Sequence, residues 1–334
     1  MNRLELPRAN PSSGTCPICG CMKTVRVWTA LDLNWHLPGS FPYDHCKNCG
    51  ALFRPAGSTL PAEAYPRGYG LCLEPESPLI PSRIDSMANR RRADFLESIH
   101  KSGTILDVGC GSGFFLAYLR LRGWHVYGLE TAAEHVVFAR DTLGLSNVIQ
   151  GSWPPANGTF RHFDVITMIH LIEHMSNPLT ALAAAHHSLR EGGMVLLETP
   201  NSRSWPARIF GPRWVTLDAP RHMVIFSPKS LMHCLRAAGF EKITMITYSP
   251  STIEWSESLR HMLNQKRQKD RCSALTAVSV PSLLTDVRSD NWLRQQMLRP
   301  VHAAERLFYR FINKFADTME QGCNVLAAAF NRPQ

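Results

Sequence analysis

The sequence is sparing with charge and has no long apolar run. Asp, Glu, Lys and Arg make up 19% of its 334 residues, against 44% hydrophobic. That balance supplies a packed core and excludes a disordered or collagen-like chain. Uninterrupted apolar stretches fall far short of the roughly 18 residues that a membrane-spanning helix needs. Acids are the scarcer sign, 27 against 36 basic residues, a net of +9 with His neutral. Such an excess favours an anionic partner without defining a fold. The opening Met-Asn-Arg-Leu-Glu-Leu-Pro places an acid and a proline where the apolar part of a secretory signal would begin, so a cytoplasmic protein is expected. Internal repeats and low-complexity tracts are lacking, and the length suggests roughly two domains of about 150 residues.

Cysteine is not scarce, and four of the ten are patterned. Cys16-Pro-Ile-Cys19-Gly and Cys46-Lys-Asn-Cys49-Gly are two Cys-x-x-Cys-Gly knuckles. A two-residue spacer lets two thiolates face one ion, and the glycine lets the backbone turn beneath it. Two such hooks close a tetrahedral shell with no open position, the structural kind of zinc site. Cys21 lies beside the first knuckle. Cys72, Cys110, Cys234, Cys272 and Cys323 are scattered and read as small core residues.

Beyond a tyrosine-bearing linker (Tyr65, Tyr69) and a basic helical stretch from Ser82 to His100, apolar runs alternate with helical patterns. Strands are expected at 104–107, 125–130, 147–150, 163–169, 194–198 and 242–248, with helices at 114–122, 132–143, 179–189 and 227–238. This alternation implies a mostly parallel sheet covered by helices on both faces. It stops near Pro250. Residues 251–320 read as a helical insertion, and Asn324 to Phe330 as one more strand. The expected organisation is a zinc module at 14–60, a sheet domain at 82–250, the insertion at 251–320 and the closing strand at 321–332.

The central chemical signal is Asp107-Val-Gly109-Cys-Gly111-Ser-Gly113-Phe at the end of the first of these strands. Its glycines allow a tight turn and close approach to a nucleotide-like ligand. Phe114 fills the place where a dinucleotide fingerprint requires Gly or Ala. Asp107 offers a carboxylate to a cation, and Glu130, at the tip of the next strand, suits two ribose hydroxyls. A ribose and an ammonium group without a pyrophosphate describe S-adenosylmethionine better than NAD.

With Phe163-Asp-Val-Ile-Thr-Met-Ile-His170-Leu-Ile-Glu173-His174 and Leu189-Arg-Glu-Gly-Gly-Met-Val-Leu-Leu-Glu-Thr-Pro-Asn201 added, residues 14–250 and the final strand resemble class I S-adenosylmethionine-dependent methyltransferases. The knuckles and Asp218-Ala-Pro-Arg221-His222-Met-Val-Ile-Phe226-Ser227 resemble a bacterial subgroup acting on sugars and other small molecules. The resemblance implies a Rossmann-like sheet of seven strands, the last antiparallel. It places Asp107, Gly109, Gly111 and Gly113 around the methionine moiety, Glu130 on the ribose, Ser152 and Trp153 beside the adenine, and His170 at the donor site. His222 takes the place of a catalytic base, with His174 and Tyr69 as further candidate catalytic residues. Related quinone-pathway enzymes carry Glu-x-x-Glu-His and are thought to bind a divalent metal; here His170 occupies the first place. The expected role of Glu173 is to hold loops and cap the next helix. Two departures, Ala219 for a tyrosine and Arg221 for an acid, favour transfer to a hydroxyl over transfer to carbon. Arg221 could hold an anionic group, and the Trp205–Trp214 stretch could wall the acceptor site.

The expected enzyme methylates a small molecule or glycan, in first place a hydroxyl of a sugar or lipid-linked glycan. The alternatives are an RNA methyltransferase gripping RNA through the zinc module and a non-catalytic scaffold. The basic residues do not interleave with aromatics as a strand-binding surface would, which argues against nucleic acid. Residues 299–315 pair apolar positions at helical spacing with cations. That face can lie on the inner membrane surface or, as such faces mostly do, pack on protein.

Overall fold

The structure, a computed structural model, describes residues 14–66, 69, 73–155, 162–250, 253–274 (side chains to 263) and 310–331. Cys72, the Cys272 side chain and residues 299–309 of the amphipathic run therefore lie outside the described residues.

Two sheets organise the chain. The smaller contains β1 (Thr24–Ala30), β2 (Phe41–Cys46) and the short β3 (Leu52–Phe53), in antiparallel succession. After α1 (Ile80–Ile84) and α2 (Met87–Ile99) the larger sheet begins with β4 (Thr104–Val108). The single helix expected from Ser82 to His100 is broken at Asp85, where Ser86 caps α2 by accepting from the Asn89 amide. Then follow α3 (Phe114–Leu121), β5 (His125–Glu130), α4 (Ala133–Val137), β6 (Val148–Gln150), β7 (Phe163–Ile169), α5 (Pro178–Ser188), β8 (Leu189–Pro200) and α6 (Trp205–Phe210). The two-residue β9 (Val224–Ile225) precedes α7 (Pro228–Ala237), β10 (Phe240–Tyr248), α8 (Ile253–Ala274), a helix at 310–318 and β11 (Asn324–Asn331).

The order across the larger sheet is β10-β11-β8-β7-β4-β5-β6. β4 to β8 pair in parallel, and β11 inserts antiparallel between β8 and β10. This is the Rossmann-like, seven-stranded, mostly parallel sheet expected from the alternation. Continuous burial along β7 from Phe163 to Met168 and along β8 from Gly193 to Pro200 follows from having helices on both faces. Strand order reverses at β4, so the carboxyl ends of β4, β5 and β7 open a crevice there.

The smaller sheet is not a free appendage. Its fourth strand is β9, paired to β3, and the buried Cys16, Cys46 and Cys49 share one apolar core with Leu106, Ile166 and Leu197 of the larger sheet. Arg221, three residues before β9, is fully buried. Its guanidinium donates to both Asp32 oxygens at 2.7 and 2.8 Å and to both Asp218 oxygens at 2.7 and 2.9 Å. It is therefore saturated by protein carboxylates and is no anchor for an outside anion, contrary to the sequence expectation. Asn34, the Tyr43 hydroxyl and Arg54 bond the same 218–223 loop. In the helix at 310–318, Ile312 joins the core near Trp255, and Phe315 meets Trp205 edge to face at 5.6 Å.

Arg221→Met would leave Asp32 and Asp218 buried without their cation. The expected loss is about 3–5 kcal/mol of unfolding free energy, measured by urea denaturation; a loss below about 1 kcal/mol would show that the network is peripheral to stability.

Candidate active site

The crevice holds a cavity of about 720 Å3. Its floor is Val108, Gly109, Gly111 and Ser112 from the loop after β4; Glu130 and Thr131 from the end of β5 form one side, and His170, Leu171 and His174 after β7 the other. Gly109 and Gly111 have φ of +71° and +53°, the left-handed region, and a Cβ on Gly109 would come within 2.8 Å of Leu171. Glu130 holds this loop directly: its Oε2 accepts from the Gly111 amide at 2.8 Å, and its Oε1 from the Thr131 and Ala132 amides at 2.7 and 3.0 Å.

Asp107 lies beneath the cavity and does not line it. It is 3% exposed, its Oδ1 accepts from Thr167 Oγ1 at 2.6 Å, and burial lifts its pKa to about 7. Gly113 also stays out of the cavity: it is the N-cap of α3, and a Cβ there would meet Leu145 at 2.6 Å, so packing requires the glycine. Of the residues expected beside an adenine, Trp153 lines the cavity together with Gly151, whereas Ser152 is exposed beside them and outside the lining. The Trp153 indole is fixed by donating to the Ala181 carbonyl at 3.0 Å.

The other half of the crevice gathers histidines and carboxylates. His170 bonds Glu198 Oε1 through Nε2 at 3.0 Å and lies 3.4 Å from Glu173 through Nδ1. Burial alone would lower its pKa, but the two carboxylates outweigh burial and raise it to about 9, so the imidazole is cationic at neutral pH. Glu198, well below the usual carboxylate range despite burial, is also held by Arg92 Nε at 2.6 Å and Asn324 at 2.7 Å. Glu173 accepts from Thr199 at 2.9 Å, while its Oε1 makes no hydrogen bond among the described residues. The cap of α5 is Asn177, not Glu173.

His174 and His222 meet with ring centroids 4.6 Å apart, and His222 Nε2 lies 4.0 Å from Glu173. Only His174 lines the cavity; His222 is 6% exposed behind it, so the base assigned to His222 from sequence does not itself reach the open space. Burial, and then the neighbouring His222, lower the His174 pKa to about 4, leaving it neutral. Its Nδ1 lies 3.2 Å from both the Arg221 carbonyl and the Tyr65 hydroxyl. Tyr69, edge-on to Tyr65 at 5.0 Å, donates to Asp218 Oδ2 at 2.9 Å, and burial pushes its pKa well up. Trp35 packs on Tyr69 at 5.7 Å. The sequence carried no signal for Trp35, or for the Ser112–His135 hydrogen bond of 2.7 Å that steadies the glycine loop. The stretch from Trp205 to Trp214 is elsewhere: Trp214 is buried against Glu254 and walls no part of this cavity.

At the knuckles, Cys16 and Cys49 sulfurs are 3.6 Å apart, as are those of Cys19 and Cys46, and all four lie within 4.8 Å of one another. Disulfides are about 2.05 Å, whereas Zn–S bonds of about 2.3 Å in a tetrahedron set sulfurs about 3.8 Å apart. The spacing fits a four-thiolate ion site. Cys21 stands outside the group.

Residues 82–245 match a family described as a methyltransferase domain. The ubiquinone biosynthesis O-methyltransferase of Cereibacter sphaeroides is 26% identical over 54% of this chain and 81% of its own length. That of Ruegeria pomeroyi is 26% identical over 55% and 81%. Among solved structures, an S-adenosylmethionine-dependent methyltransferase of Thermotoga maritima aligns with 75% of this chain and 92% of its own at 16% identity and a TM-score of 0.46.

If Asp107 receives a ligand ammonium group, its carboxyl must ionise as the ligand binds. S-adenosylhomocysteine affinity should then rise between pH 6 and pH 8, about the Asp107 value, and Asp107→Asn should flatten the dependence. Calorimetry showing the same pH slope in the variant would place the titrating group elsewhere.

Proposed function

We propose, from the premise that this chain is a class I S-adenosylmethionine-dependent methyltransferase, that it methylates a hydroxyl of a small ring-bearing acceptor, in first place a sugar or lipid-linked glycan. The observation that carries this reading is the neutral His174, lining the donor cavity opposite the glycine loop with Tyr65 and Tyr69 beside it. When bound, the donor supplies an electrophilic methyl on a sulfonium; the residues supply position, dryness and a proton acceptor. Glu130 lines the cavity and is the carboxylate for the ribose, Asp107 acts on the ammonium group from beneath the loop, and Gly109 and Gly111 let the backbone approach. Tyr65 and Tyr69 offer ring faces against which a sugar or aromatic ring can stack.

As an acceptor oxygen forms its new bond, its proton becomes acidic and the imidazole of His174 can take it. The Glu173 carboxylate, ionised and buried behind, then faces an imidazolium in place of a neutral ring. His222 and Glu173 thus act as positioning residues for His174. Oxygen as the receiving atom is supported by the names of the O-methyltransferase relatives.

A second reading is favoured by one observation. Glu173, His174 and His222 bring one donor atom each within 4.8 Å of one another, and Glu173 Oε1 and His222 Nδ1 are buried without hydrogen bonds among the described residues. These residues could hold a divalent cation, which would polarise an acceptor oxygen. Separately, we infer that the four-thiolate cluster of Cys16, Cys19, Cys46 and Cys49 takes zinc, as a closed structural site.

Release of S-adenosylhomocysteine, measured over a panel of sugar and catechol hydroxyls, should reveal turnover. His174→Ala should lower kcat by about 10²–10⁴-fold with donor affinity unchanged; wild-type kcat on the accepted substrate would remove the base assignment. Loss of activity in a chelator, restored by Mg2+, would establish the cation reading instead. Donor binding without turnover on any acceptor would leave a non-catalytic scaffold. Elemental analysis in reducing buffer should find one zinc per chain, and none after Cys46→Ser with Cys49→Ser.

A further inference from the structure

A second concavity of about 530 Å3 lies apart from the donor cavity and shares no lining residue with it. It is built from three segments far apart in sequence: β1 with the second knuckle, the start of α6, and the start of α7. The segments are pinned together. Ser227, fully buried, donates to the Cys49 carbonyl at 3.0 Å, and Lys229 Nζ reaches the Asn48 carbonyl at 2.6 Å. Ser202 donates to the Gly50 carbonyl at 3.4 Å.

The lining divides by chemistry. Lys47, Arg203, Arg208 and Lys229 bring four side-chain cations, and no Asp or Glu lines the space. None of the four forms an ion pair among the described residues; Arg208 meets only the neutral Gln321, at 3.4 Å. Trp28, Val27, Leu52 and Ala207 supply an apolar wall. A zinc ion with four thiolates at the neighbouring knuckles would carry a net −2. Four cations less two leaves a surplus of two, so the zinc site does not account for the whole of the basic lining.

We propose that this groove binds a phosphate ester, with its phosphate or diphosphate on Arg203, Arg208, Lys47 and Lys229 and its ring or apolar portion against Trp28. Guanidinium groups pair bidentately with phosphate oxygens, and the lysines add point charge. The cavity size lies within the range of small-ligand sites. A soluble nucleotide and the headgroup of an anionic lipid share this chemistry. The inference is independent of the acceptor reading, since it uses no residue of the donor crevice.

Calorimetry on the full zinc-loaded chain, saturated with S-adenosylhomocysteine to block the donor site, tests it with UDP, uridine and inorganic pyrophosphate. Expected are binding of UDP that weakens in high salt, little binding of uridine, and a fall of about tenfold or more on Arg203→Glu with Arg208→Glu. Trp28→Ala should weaken UDP and spare pyrophosphate. Sedimentation with phosphatidylglycerol vesicles forms the other arm; vesicle binding abolished by the same two reversals, with no UDP binding, would assign a lipid source. Unchanged S-adenosylhomocysteine affinity in the variants reports an intact fold, and Lys47→Gln with Lys229→Gln provides a milder pair. If neither UDP, pyrophosphate nor vesicles bind, or if binding survives both pairs of substitutions, the proposal is overturned.

Discussion

The buried Arg221 guanidinium, bidentate to Asp32 and paired with Asp218, is the constraint on which the site depends. It joins residues 189 positions apart. A buried arginine with two carboxylates is costly to desolvate, and it persists only because nearly every donor finds an oxygen. That saturation leaves the 218–223 loop little freedom. The loop's backbone in turn bonds the Tyr43 hydroxyl, the Arg54 side chain and the 173–174 turn, including 2.8 Å from the Met223 amide to the Glu173 carbonyl. His174 and His222 meet because the two segments that carry them are fastened to one another and to the knuckle module.

The polar interior of the crevice follows one electrostatic logic. Glu173 and Glu198 are ionised deep in the protein because His170 and Arg92 face them, and His170 is cationic for the reciprocal reason. His174, one turn away and without a hydrogen-bonded carboxylate, goes the other way and stays neutral. Two imidazoles four positions apart are thus driven to opposite charge states by their partners. That separation follows from which carboxylates each ring meets and how deeply each is buried.

The knuckle module contributes more than its own stability. It lends a β-strand partner to β9, a carboxylate to Arg221 and a tryptophan to the tyrosines at the cavity mouth. Its opposite side forms the basic groove. Its buried cysteines share one apolar core with the larger sheet, so the two sheets pack as a unit there.

The sequence by itself determined what local rules govern. Apolar runs and helical patterns marked β4 to β8 and the helices α3, α4, α5 and α7, but not α6, and the spacing of Cys16, Cys19, Cys46 and Cys49 marked their convergence. Glycines before α3, with Asp107 and Glu130 at strand ends, marked the crevice where the strand order reverses. These depend on neighbours a few residues apart, where geometry is fixed by the chain. Tertiary structure alone decided which side chains face that crevice. Arg221 is consumed by Asp32, His222 is screened by His174, Gly113 serves packing against Leu145, Ser152 turns outward, and Trp214 belongs to a separate core. The outcomes for Arg221, His222, Gly113 and Trp214 are set by partners tens to hundreds of residues away, and no local periodicity encodes whether a charged or aromatic side chain finds such a partner or is left for a ligand.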